Sequence, residues 1–172
     1  RHWCRKSDEE LKYLIVWRRN MSVSSNGLSE RNRARLRQFA DRRNIENFLM
    51  LPVKVMNGLK GKKKLNRRDA LDLQVALMVE LLLMCPLRRK NIVSLRIGPG
   101  GHFHHNSDRH DTTHIVIPGD MVKNGQAIEA PLPPFAAQLL EFYLEYARPS
   151  LSGEPGQWLF PGEVPDSHKS LD

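Results

Sequence analysis

The stretch ALDLQVALMVELLLMCPLRRKNIVSLRIG, residues 70–98, decides the fold. Its first part, through Cys85, is apolar at nearly every position, interrupted only by Asp72, Gln74 and Glu80. A run of that length without glycine or proline predicts a helix, and apolarity on nearly all sides places it at the centre of the fold. Pro86 ends it. Three cations, Arg88, Arg89 and Lys90, then open a new helical turn before apolar residues resume. A guanidinium there stands at the edge of a rigid core, its backbone held by buried neighbours on both sides. Such a mount suits charge building up on a phosphate. Arginine presents a fork of donors that matches two phosphate oxygens, and it stays protonated. Little reorganisation is needed when the charge develops.

Working outward, residues 7–21 (SDEELKYLIVWRRNM) predict a helix with Ser7 as N-cap and Glu10 completing a capping box. Ser29 caps a strongly basic helix over residues 30–44, and residues 44–59 predict another, bent or broken near Pro52. KGKKKLNRR, residues 60–68, leads into the central helix, predicted over residues 68–85. Downstream the texture changes. HIVIPGDMV (114–122) and AIEAPLP (127–133) read as a hairpin around KNGQ, with SLRI (94–97) as a third strand. PPFAAQLLEFYLEYA (133–147) reads as a helix opened by proline, with Gln138, Glu141 and Glu145 on its wet face. The expected class is α+β, mainly α, with a small three-stranded antiparallel sheet.

Composition bounds the function. A chain of 172 residues is one domain, or a small domain with an appendage. No segment reads as a membrane span, and RHWCRKSDEE at the start has no signal-peptide pattern. Cys4 and Cys85 are too few for a disulfide framework, which points to a reducing, intracellular compartment. The net charge of +8 is unevenly placed: residues 1–96 hold 23 Lys/Arg against 9 Asp/Glu, and residues 97–172 hold 4 against 10. A basic half joined to an acidic half points to a polyanion as partner. KGKKKLNRR concentrates six cations in nine residues, Lys60, Lys62, Lys63, Lys64, Arg67 and Arg68. These can track a DNA backbone, or form a solvated charged loop. Lys123, beside Asn124-Gly125 at the expected hairpin tip, can reach into a groove and deliver a proton or a charge. His102, His104, His105, His110 and His114 with Asp108 are enough ligands for zinc or nickel. Their spacing fits neither a helical pair nor a finger, and the glycines and asparagine among them read as a loop between strands, so no metal site is assigned.

In this order the elements resemble the catalytic domain of tyrosine recombinases, the phage integrase family. CPLRRKNIVSL matches the motif of the first catalytic arginine, with Arg88 in that place; a register shifted by one would give the place to Arg89. VKNGQAIEAPLP matches the hairpin-lysine motif, with Lys123, and WLFPG (158–162) resembles the family's LFP segment. The basic residues 29–52 resemble the region leading into that domain. The resemblance implies that residues 44–172 are the N-terminal half of a catalytic domain, and residues 1–43 the tail of a DNA-binding arm or linker helices. It implies double-stranded DNA as partner, self-association of the full-length protein on DNA, no membrane, and a cytoplasmic place on the bacterial nucleoid. It implies no metal or nucleotide cofactor. In the family a tyrosine attacks a phosphodiester, forms a 3′-phosphotyrosyl bond and releases a 5′-hydroxyl. Arg88 would hold non-bridging oxygens of the scissile phosphate, and Lys123 would protonate the leaving 5′-oxygen. Arg89 and Lys90 would contact neighbouring phosphates or stay solvated.

The departures are specific. The family's glycine two before the arginine is Pro86, and its acidic residue three after is Asn91. The family places a His-x-x-Arg motif and the nucleophilic tyrosine after the LFP segment. Here His168 is followed by no such arginine, and Tyr13, Tyr143 and Tyr146 all lie upstream. The expectation is a fragment, inactive alone. Two other classes compete: a non-catalytic DNA-binding module, and a metal-dependent hydrolase built on the histidines.

Overall fold

Side-chain caps set where the helices begin. Ser29 Oγ accepts the Asn32 amide hydrogen at 3.3 Å and starts α1, Glu30–Arg37. The basic helix expected through residue 44 does not run on. Gln38–Ala40 tightens into a 3-10 turn and Asp41 leaves helical geometry. Asp41 Oδ1 accepts the Arg43 amide at 2.9 Å, at the start of α2, Arg42–Leu49. One aspartate among arginines thus stops one helix and starts the next. Met50 separates α2 from α3, Leu51–Leu59, which carries Pro52 in its first turn, where the missing amide donor is harmless. The computed structural model describes residues 9, 12, 16, 28–85, 87–106, 112–122, 125–152 and 156–170. Of the helix expected over residues 7–21, Glu9, Lys12 and Val16 are helical, and its Ser7–Glu10 capping box lies outside the described residues. The chain divides into two compact units, Arg1–Ile45 and Glu46–Asp172. The elements from α3 onward belong to the second.

The central helix, α4, spans Arg67–Met84 and opens with a reciprocal capping box. Asn66 Oδ1 accepts the Asp69 amide at 2.8 Å, and Asp69 Oδ2 accepts the Asn66 amide at 3.2 Å. Asn66→Ala is expected to lower stability by about 0.5–2 kcal/mol in a denaturant titration, the usual loss for a cap. A change below about 0.3 kcal/mol would show that packing alone holds the helix start. Ala70, Leu73, Leu77 and Leu81 bury completely, at helical spacing, in one core with Met56 and Leu59 of α3. Burial all round does not hold: Val75, Leu82 and Leu83 are 48%, 37% and 40% exposed along one side. Glu80, the charge inside the apolar run, is half-buried, and that burial pushes its carboxyl above the usual range.

Beyond α4 the chain turns at Cys85, whose carbonyl accepts the Leu87 amide at 2.7 Å, and enters α5, Arg89–Val93. Three antiparallel strands follow in the order β1, Phe103–Asn106, β2, Thr112–Ile117, and β3, Ile128–Pro131. Phe103, Ile115 and Ala130 stand in one row across the sheet and pack on the core, while His104, His114 and Pro131 form the adjacent row on the other face. The third strand is therefore β1, drawn from the histidine stretch, and SLRI lies outside the sheet. SLRI bonds instead to residues 157–159, at the start of the WLFPG segment: Arg96 bridges Trp158, Ile97 donates to the Gln157 carbonyl at 2.7 Å, and Leu159 donates to the Leu95 carbonyl at 2.8 Å. The Arg96 guanidinium lies 4.7 Å above the Trp158 ring, a cation–π contact.

The last long helical stretch begins as α6, Pro134–Phe142, widens into a π-turn over Tyr143–Ala147, and ends as α7, Arg148–Leu151. Gln138, Glu141 and Glu145 are exposed on it, as their spacing predicts. Tyr143 faces the other way and is fully buried. Its hydroxyl donates to the Leu159 carbonyl at 3.1 Å and accepts from Gln74 Nε2 at 3.1 Å. One phenol thus ties α4, the π-turn and the LFP segment together, and that segment's Leu159 and Phe160 are fully buried beside it.

Candidate nucleic-acid interface

Arg88 is the N-cap residue of α5, in extended geometry (φ −69°, ψ 153°) with its side chain exposed. Its carbonyl accepts the Asn91 and Ile92 amides at 2.9 and 3.0 Å. Leu87 before it and Asn91, Ile92 and Val93 after it are buried. The backbone is fixed from both sides while the guanidinium faces solvent, with no ion-pair or hydrogen-bond partner among the described residues. Arg89 and Lys90 are exposed beside it. An unengaged guanidinium on a rigid mount can take a bidentate oxyanion without breaking an interaction of its own.

The lysine loop is more ordered than a solvated charge run. Leu59 and Leu65 are buried at its two ends, which pins the four lysines between them. Lys62 is not free for phosphate. Its ammonium contacts Asp69 Oδ1 at 2.7 Å, and that contact, with the Asn66 amide, holds the Asp69 carboxyl below the usual carboxylate range. A half-exposed lysine thus fastens the loop to the cap of α4. Arg68 pairs with Asp72 one turn on, at 3.4 Å and largely in solvent, a contact of little strength. Lys60, Lys63, Lys64 and Arg67 remain exposed. The three lysines lie on the loop that leads into α4 and Arg67 is its first residue, so the positive end of the helix dipole adds to their charge. Asp69→Asn should release Lys62, strengthen duplex DNA binding and steepen the log–log salt slope by about 0.9. Anisotropy titrations at several salt concentrations test this; an unchanged slope would place Lys62 away from the DNA.

Arg88 and the lysine loop stand at opposite ends of α4, whose 18 residues span roughly 27 Å. They are two separate basic clusters, not one. Lys123, and with it any approach to Arg88, lies outside the described residues. The ends of its connection are fixed: Gly125 donates to the Val122 carbonyl at 3.0 Å, and Gly119 packs so closely on Gly125 that a Cβ would fall 2.3 Å from that residue's oxygen. Gly125 takes a positive φ of 70°, which glycine adopts without strain.

The histidines separate. His102 turns inward and is 6% exposed, His104 pairs with His114 on the outer face, and His105 contacts Thr113 on the opposite side. His110 and Asp108 lie outside the described residues. Among those described, no three His, Cys, Asp or Glu side chains converge to hold a metal ion. Nor does any described helix have the length and apolarity to cross a membrane. Tyr143 is unsuited to act as a nucleophile: burial pushes its phenol up to about 12, and its proton is committed to Leu159. Cys85 is buried, and desolvation raises its thiol.

A cleft beside α4 has no antecedent in the sequence. Arg67, Leu71 and Gln74, on one face of α4, form a wall of this ≈ 480 Å³ space, whose other side includes His168 and Lys169. Gln74 Oε1 is buried without a hydrogen-bond partner among the described residues. The i, i+4, i+7 spacing is visible in the chain, but no local pattern places the residues after Pro161 against it. Comparison of the chain with family models, curated proteins and solved structures finds no match in any of the three.

Proposed function

We propose that this chain is the first half of the catalytic domain of a DNA recombinase that works through a 3′-phosphotyrosyl intermediate, and that alone it binds DNA without cutting it. The observation that carries the reading is the mount of Arg88: an exposed guanidinium on a backbone locked between Leu87 and Ile92, just past the end of the central helix. The order of parts supports it as well. A three-stranded antiparallel sheet, a helix and a buried Leu159-Phe160 follow that arginine, as the resemblance implies. In this reading Arg88 neutralises the scissile phosphate as it becomes pentacoordinate, and Lys123 protonates the leaving oxygen. The lysine loop and Arg67 hold the flanking backbone, setting position but not sequence.

The test is to incubate the full-length parent with nicked duplexes that trap the covalent intermediate. The proposal expects a protein–DNA adduct on tyrosine from the parent and none from these 172 residues. An adduct from neither, with DNA binding retained, would favour the non-catalytic module. An adduct from the 172 residues would require a nucleophile among Tyr13, Tyr143 and Tyr146.

A further inference from the structure

We propose that His102 is an acid-released latch: its neutral ring fastens the Arg96–Gly101 turn to the foot of the β2–β3 connection, and protonation lets the two part. The Arg96 carbonyl accepts the His102 amide at 2.9 Å, and the Arg96 amide donates to His102 Nδ1 at 2.9 Å. A backbone N–H only donates, so Nδ1 carries a lone pair and the ring proton sits on Nε2. Nε2 lies 3.3 Å from Met121 Sδ, in the 3-10 turn Gly119–Met121 that follows β2. The His102 carbonyl accepts the Val116 amide at 2.7 Å. One buried residue therefore binds the turn, β2 and the 3-10 turn at once.

A second proton would have to go on Nδ1, where it would face the Arg96 amide, donor against donor, in a desolvated space. Burial first, then the Arg96 guanidinium and, last, His104, outweigh a raising contribution from the Arg96 backbone hydrogen bond and hold the ring below the ordinary histidine range. Among the described residues, Arg96 on the turn and His104 on β1 act on its charge, and the elements it bonds also carry His114 on β2 and Asp120 on the 3-10 turn. None of their side chains hydrogen-bonds to the ring. The sign follows from the depressed value. The closed form binds fewer protons than the open one, so the latch is at full strength above the ordinary value near about 6.5 and weakens as pH falls below it. Each pH unit lower multiplies the open population by up to about ten, until the folded value is reached.

The latch is tested without DNA, and so stands or falls apart from the recombinase reading. Amide exchange of the 172-residue chain is followed from pH 7.5 to 5, corrected for intrinsic rates. Arg96 protection should drop by up to about fivefold between pH 6.5 and 5.5, while Cys85, bonded within α4, keeps its own. In His102→Asn the amide oxygen takes the place of Nδ1 as acceptor and does not titrate, so Arg96 protection should be flat over that range. Should this variant not fold, the ring nitrogens of the unaltered protein decide. A neutral Nε2–H ring that gains its proton only below the ordinary range supports the latch. A proton on Nδ1 at neutral pH, or Arg96 protection that ignores pH, overturns it, as does an equal loss in His102→Asn.

Discussion

Arg88→Ala in the full-length parent is expected to slow DNA cleavage by at least about two orders of magnitude, the usual consequence of removing a positioned donor from a developing charge. The same change in the 172-residue chain should alter duplex affinity by less than about tenfold, since several other cations still hold the phosphates. The contrast is what makes the result informative. Among the described residues Arg88 engages neighbours only through its backbone, which alanine preserves, so the fold and the α5 turn should persist. Arg88→Lys should recover charge but not the two-pronged geometry, and land between wild type and alanine. Single-turnover cleavage of a suicide duplex gives the rate. A loss below tenfold for Arg88→Ala, with a larger one for Arg89→Ala, would move the catalytic place by one residue.

Removing Lys60, Lys63 and Lys64 together should weaken binding by about two orders of magnitude at 0.1 M salt, to a similar extent on every duplex sequence. The log–log salt slope should become shallower by about 2.7, or roughly 0.9 for each phosphate no longer neutralised. Lys62 is left out because it is engaged: Lys62→Ala strips Asp69 of its partner and is expected to loosen the start of α4 more than it weakens DNA binding. Anisotropy between 50 and 300 mM salt separates the two, since only a lysine seated on a phosphate changes the slope. A triple variant with the parental slope would take the loop out of the interface.

The helices were legible because their signals are local. The apolar run foretold α4, Ser29 foretold α1, and the period of residues 133–147 foretold α6 with its exposed Gln138 and Glu141. What was missed depends on neighbours distant in sequence. Lys62 looked like its fellow lysines, and its capture by Asp69 required the loop to fold back on the helix start. Val75, Leu82 and Leu83 read as core because apolarity states what could be buried, not what is present to cover it. The histidine stretch reads as a loop by composition, yet Phe103 anchors it as β1 by facing the core beside Ile115, while SLRI is claimed by Trp158 and Leu159. For the site, the sequence singled out Arg88, and the structure adds the rigidity of its mount; the cleft beside Arg67 and Gln74 depended on a chain reversal that no local pattern encodes.

The length of α4 has a counterpart in DNA. A duplex advances about 3.4 Å per base-pair step, so the length of α4 alone corresponds to about eight steps, somewhat short of one turn. On the DNA-binding reading, the two basic ends grip one face of the duplex nearly a turn apart, and the helix between them fixes that interval as a rigid spacer. A shorter duplex can meet one end or the other but not both, so affinity should rise with duplex length in two stages, the second beginning where the spacer is first spanned.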